Sequence, residues 1–106
     1  VIRVKKRDGR IVPFDGIKIK NTIQKAFKAA GVENDFNATG YVLAKLNKYI
    51  ILEYSEDNRP IDIEEVLDIV EDILMDFDKA TAKAFIKERF YKEIEEKIVY
   101  NLGLRG

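Results

Sequence analysis

At one end of this sequence cations gather at short spacing: Lys5, Lys6, Arg7 and Arg10 surround Asp8-Gly9, and Lys18 and Lys20 follow. Arginine presents a planar fork of donors and lysine a compact point charge, so a set holding both suits a polyanion such as a phosphate chain. Lys18 and Thr22 are four residues apart and Lys25 is three further on, which puts all three on one face of a helix, within reach of one ligand. The unpaired amides of a helix N-terminus would add to the attraction for an anion. A charged hairpin turn also serves as a solvated edge that discourages strand pairing, and composition does not separate the two uses.

The charge distribution favours an anionic partner at that end. The first 28 residues hold nine bases against two acids, Asp8 and Asp15, whereas the stretch from Glu53 to Asp78 holds eleven acids against Arg59 alone. Over the whole chain nineteen bases and nineteen acids cancel, so long-range attraction to nucleic acid or membrane is weak and local placement decides. Cys and His are both absent, which removes disulfides, thiolate metal sites, cysteine nucleophiles and the commonest general base. The acids from Asp57 to Asp78 are expected on helix surfaces and at caps, not around a metal. No apolar run approaches the roughly twenty residues that span a bilayer, and Val1-Ile2-Arg3-Val4-Lys5-Lys6 is too short and charged for a secretory signal, so a soluble, cytoplasmic protein is expected.

The elements that must position these groups follow from periodicity. At 106 residues the chain is the size of one domain. Ile2 and Val4 alternate with Arg3 and Lys5, Asp8-Gly9 signals a turn, and Arg10 to Pro13 returns as a second strand. Asp15 reads as the N-cap of a helix carrying Ile19, Ile23, Ala26, Phe27 and Ala30, with Gly31 as its left-handed stop. Asn34 or Asp35 caps a second helix whose apolar face runs through Ala38, Val42, Leu46, Tyr49 and Ile50 toward Tyr54, ending in a loop from Ser55 to Arg59. Pro60-Ile61 reads as extended. Asp62 to Glu65 matches an acidic capping box ahead of Val66, Leu67, Val70, Ile73 and Leu74. Asp78 caps a fourth helix with Ala82, Phe85, Ile86, Phe90, Ile94 and Ile98 facing inward and Gly103 at its end. A lone hairpin needs helices to bury its apolar face. The fold class expected is therefore α+β, a four-helix bundle capped by a small two- or three-stranded β-sheet.

Val4-Lys5-Lys6-Arg7-Asp8-Gly9-Arg10-Ile11-Val12-Pro13-Phe14-Asp15, followed by Lys18-Ile19, resembles the opening signature of the ATP-cone family. Pro60 to Val66 resembles the family's middle motif, and Ala82 to Arg89 its closing helix. The resemblance covers Val1 to about Tyr91, so 1–91 is expected to be the ATP-cone and 92–106 a helical extension or the start of a linker.

That resemblance implies an allosteric domain that binds ATP or dATP under a lid made by the opening sheet and regulates a ribonucleotide reductase. By matching positions, Val4 would offer backbone groups to the adenine edge, and Lys6, Arg7 and Lys18 would contact phosphate. Phe14, Ile19 and Thr22 would line base and sugar, although Phe14 and Ile19 serve equally as packing between hairpin and helix. Asp15 would help at the ribose or only cap the helix. Arg89 would reach phosphate, or lay its stem along the bundle with its head in water. Many relatives carry Tyr where Phe85 stands, so a hydroxyl contact is missing while base stacking survives. Mg²⁺ would arrive with the nucleotide, held by phosphate oxygens and water. With neither a Walker A loop nor a kinase-like set, no catalysis of its own is expected.

The implied partners are adenine nucleotides and the catalytic domain or subunit of the reductase, with nucleotide-dependent self-association. The alternative is the sensing domain of a transcriptional regulator or another fused enzyme. Related repressors place a zinc ribbon before the cone, which this chain cannot supply without Cys. Nucleic acid is disfavoured as a partner because no aromatic platform interleaves with the basic end.

Overall fold

The computed structural model describes residues 2–54 and 59–101, with side chains through residue 99. Of the loop expected from Ser55 to Arg59, residues 55–58 lie outside the described residues, as do the expected helix end at Gly103 and the side chains of Tyr100 and Leu102.

The chain opens with β1 (Arg3–Lys5) and β2 (Ile11–Pro13), paired antiparallel with Val4 opposite Val12. The Gly9 amide donates to the Lys6 carbonyl at 2.9 Å, and the Lys6 amide donates to the Arg10 carbonyl at 2.8 Å. Gly9 has φ 88, so the connection is a three-residue loop, Arg7-Asp8-Gly9, whose last residue takes the left-handed conformation that glycine adopts without penalty. Arg7 therefore leaves the strand at the loop and is aimed across the fold. β3 (Ile61–Asp62) joins β1 in parallel, so the sheet order is β2-β1-β3.

Helix α1 (Gly16–Ala29) begins where Asp15 accepts the amides of Ile17 and Lys18, and it stops at Ala30 before Gly31 at φ 79. Helices α2 (Asp35–Tyr54), α3 (Ile63–Phe77) and α4 (Lys79–Asn101) complete an α+β architecture. α1 and α3 each pack against both α2 and α4. The core is built from Ile23 and Phe27 of α1, Val42, Leu46 and Ile50 of α2, Val66, Val70 and Leu74 of α3, Phe85 of α4, and Ile61 from the sheet. Apolar residues three and four apart on each helix form the stripe that buries there.

Three sequence expectations need correction. Tyr49 does not join the inner face of α2; it is exposed, because the buried positions follow the four-residue row Ala38, Val42, Leu46, Ile50 and Tyr54. Asp62 stands at the N-cap of α3 without a side-chain cap bond, and Glu65 instead accepts the Tyr54 hydroxyl. The capping box is therefore replaced by a cross-link from α2 to α3.

α4 departs from the expected burial as well. Ala82 and Phe85 are buried, but Ile86, Phe90, Ile94 and Ile98 are exposed. α4 has 23 residues against 14 in α1 and 15 in α3, so at 1.5 Å per residue it outruns its bundle partners by roughly 12 Å. Its later turns rise beside the hairpin instead of inside the bundle.

Candidate functional site

Between the hairpin, the start of α1, the start of α3 and the middle of α4 lies a cavity of about 490 Å³. That size falls within the range typical of small-molecule sites. Val4, Lys6, Arg7, Phe14, Asp15, Lys18, Ile19, Thr22 and Arg89 all line it, so the nine residues singled out in the sequence come together at one place. Lys25 does not reach the wall, and Lys20 lies over the Phe36 ring at 5.8 Å. Of the helical face expected from the spacing, only Lys18 and Thr22 meet the cavity.

Six cations and four carboxylates line the wall, and their states differ. Arg7 donates through Nε to Glu64 and through Nη1 to Glu96 at 3.0 Å. Arg89 donates to Glu64 Oε2 at 2.6 Å, Asp68 Oδ1 at 2.8 Å and Glu71 Oε1 at 2.7 Å. Glu64 thus bridges the hairpin arginine to the α4 arginine. Burial opposes the charge on both guanidinium groups, but their carboxylate partners outweigh it and raise both pKa values above the ordinary arginine range. Burial likewise opposes the Glu64 charge, and the bonds from Arg7 and Arg89 overcome it and lower its pKa. By contrast, the ammonium groups of Lys6, Lys18 and Lys92 form no ion pair with any described residue. They are the cations most available to an incoming anion.

Several expected roles change in detail. Asp15 is the α1 cap, its Oδ1 accepting from Ile17 at 3.1 Å and Lys18 at 3.3 Å. The same bonds occupy the Ile17 and Lys18 amides, so attraction for an anion here rests mainly on side-chain cations. The Arg89 head is not in water: its side chain is only 15% exposed, enclosed by three carboxylates.

Val4 lies two residues from the bond between the Phe14 amide and the Ile2 carbonyl, and two from the bond between Lys6 and Arg10. Bonded pairs recur at every second residue of an antiparallel ladder, which turns the Val4 amide and carbonyl toward Val12. Its amide is therefore committed to the sheet, and only a second lone pair on its carbonyl could meet a base. The Thr22 hydroxyl donates to the Lys18 carbonyl at 3.0 Å and keeps its oxygen as an acceptor. Phe14 is half-buried against the core, and Ile19 is buried within it.

A family model described as the ATP cone domain matches residues 2–100. The chain belongs to the ATP-cone family. It is 38% identical over 96 residues to the anaerobic ribonucleoside-triphosphate reductase of Escherichia coli (strain K12), covering 89% of this chain and 12% of that protein. It is 36% identical over 107 residues to the protein of the same name from Salmonella typhimurium (strain LT2), covering 97% of this chain and 14% of the relative. The chain thus spans a small fraction of the length of the relatives it matches. Among the described residues no helix is long and apolar enough to cross a membrane, and no three Asp or Glu residues converge as a metal site.

The wall of this ATP-cone also includes groups that the sequence did not single out for a site. Lys92 is three residues after Arg89, and Glu96 four after Lys92, so helical spacing alone would have found them on one face. Ile63, Val66, Leu67 and Phe85 add to the apolar wall; Val66 and Leu67 were read from periodicity as core, and Phe85 both as core and, through the family resemblance, as a base-stacking position.

The Glu64 bridge makes a pH prediction. Its folded pKa is depressed, so its stabilisation is fully present above the ordinary value of 4.5 and is lost as pH falls through the lower folded value. Glu64→Gln should lower the melting temperature near neutral pH, and the gap to the unsubstituted protein should close in acid. Thermal melts from about pH 7 to about pH 3 measure it; a gap that stays constant would mean that the ion pairs contribute nothing.

Proposed function

We propose that this ATP-cone is an allosteric ATP- or dATP-binding domain of a ribonucleotide reductase, altering the enzyme's activity or oligomeric state when nucleotide binds. The observation that supports it most is the convergence of Val4, Lys6, Arg7, Phe14, Asp15, Lys18, Ile19, Thr22 and Arg89, from separate segments, on one cavity with an apolar wall and ammonium groups that pair with no described acid. In this reading Lys6, Lys18 and Arg7 hold phosphate, and Phe14, Ile19 and Thr22 meet base and sugar. Asp15 aligns α1 beneath them, and Arg89 orders the α3–α4 side. That both relatives are anaerobic ribonucleoside-triphosphate reductases supports a reductase as host. Any Mg²⁺ would be carried by the phosphates, since the nearby carboxylates Glu64, Asp68 and Glu71 are engaged by arginine.

Residues 1–91 would form the sensing unit and 92–106 its helical extension or the start of a linker, in a cytoplasmic protein. α4 crosses residue 91 without a break, which suits a rod that carries the signal away from the site. Its exposed face, with Ile86, Phe90, Tyr91, Ile94 and Ile98, is the surface through which nucleotide-dependent self-association or contact with the catalytic part would occur. A ligand regulates such a contact only by binding its two states unequally.

Calorimetry of the chain with ATP, dATP and GTP gives affinity and stoichiometry together. Saturable binding of ATP or dATP, with GTP weaker, is the expected result. No binding of any of the three would refute the proposal, and equal affinity for ATP and GTP would reduce the site to a holder of triphosphates.

A further inference from the structure

Two carboxylates hold Arg7, and they are not equivalent. Glu64 is fixed from two sides, by Arg7 and by Arg89, and lies in the first turn of α3 beside the packed Val66. Among the described residues Glu96 makes one bond, at 3.0 Å, and its side chain is 45% exposed. It stands on the part of α4 that outruns the bundle, where no described residue after Phe85 is buried. The Arg7–Glu96 pair ties α4 beyond Arg89 to the hairpin. Both Arg7 and Glu96 also line the cavity. A phosphate entering there meets a guanidinium already engaged by a carboxylate and, next to it, a negative charge that repels it.

We propose that Glu96 is a built-in competitor of the ligand: it occupies Arg7 in the empty protein, and a triphosphate takes the guanidinium from it, releasing the last turns of α4 from the hairpin. This rests on the reading of the cavity as a nucleotide site and adds a residue that sets its affinity and passes its occupancy onward. The exchange is physically reasonable because the Arg7–Glu96 pair is partly solvated, and such pairs contribute little, whereas a phosphate chain brings several charges and accepts the guanidinium fork through two oxygens. Glu64 stays in place because leaving would break its bond to Arg89 as well. Arg7 keeps that anchor while its other edge changes partner.

The test is ATP and adenosine titration of the full chain carrying Glu96→Gln or Glu96→Lys, with Glu93→Gln as a control. Among the described residues Glu93 pairs with Lys97 along α4, and it lies off the cavity wall. Glu96→Gln should tighten ATP binding by roughly fivefold, the upper range for loss of a solvated competing pair, and Glu96→Lys should tighten it further. Adenosine affinity and the Glu93→Gln protein should be unchanged. Amide exchange in α4 after Arg89 should rise when ATP is added to the unsubstituted protein, and should already be raised in ligand-free Glu96→Gln. ATP binding that is unchanged or weaker in Glu96→Gln, or α4 exchange that ATP does not raise, would overturn the proposal while leaving the nucleotide site standing. Absence of ATP binding in every variant would remove the site and this role with it.

Discussion

Replacing Lys18 by Ala should weaken ATP binding roughly ten- to a hundredfold and leave adenosine binding nearly unchanged. The ammonium of Lys18 lies on the cavity wall in the first turn of α1 and is not committed to any described acid. Nothing within the fold has to be broken before it meets phosphate, in contrast to Arg7 and Arg89, which arrive already paired. A hydrogen bond to a charged group contributes roughly 1.5 to 3 kcal/mol, which converts to about ten- to a hundredfold in affinity. Ala is a good helix former, and the Asp15 cap uses the backbone amide of residue 18, not its side chain. The variant should therefore stay folded. Titration with ATP and adenosine separates the phosphate contribution from the base; unchanged ATP affinity in a folded variant would make Lys18 an ordinary surface residue.

Phe27→Ala should be the most damaging single change to the fold. Phe27 is fully buried on α1 and meets Phe77, at the end of α3, edge to face with ring centroids 5.6 Å apart. Removing a buried phenyl group costs about 3 to 5 kcal/mol, because the cavity left behind closes only in part. A domain of this kind has a total stability of roughly 5 to 15 kcal/mol, so much of it would be lost. The phenyl group is not on the cavity wall, and ligand should still recognise whatever fraction is folded. Nucleotide at about a hundred times its Kd would return roughly 2.7 kcal/mol by mass action. Denaturant titration with and without ATP measures both effects; a loss below about 1 kcal/mol would show that the neighbouring side chains repack into the space.

Features that a few adjacent residues control were legible without the fold. Asp15 capping α1, Gly31 ending it, Gly9 in the hairpin loop and the stripes of α1 and α3 are set by backbone conformation and a 3.6-residue period, both local. The lack of Cys and His was equally plain, as was the gathering of cations around Lys6 and Lys18. The tertiary structure alone decided which charges meet. Arg7 finds Glu64 57 residues away and Glu96 89 away, and Arg89 takes three acids from α3. One surface acid resembles another in sequence, and only the placement of helices selects among them. The structure also decided the fate of the second half of α4, where Phe90, Ile94 and Ile98 keep a helical apolar period that no described element buries. Periodicity tells which side of a helix is apolar, but burial depends on whether another element extends that far, and α1 and α3 are too short to do so.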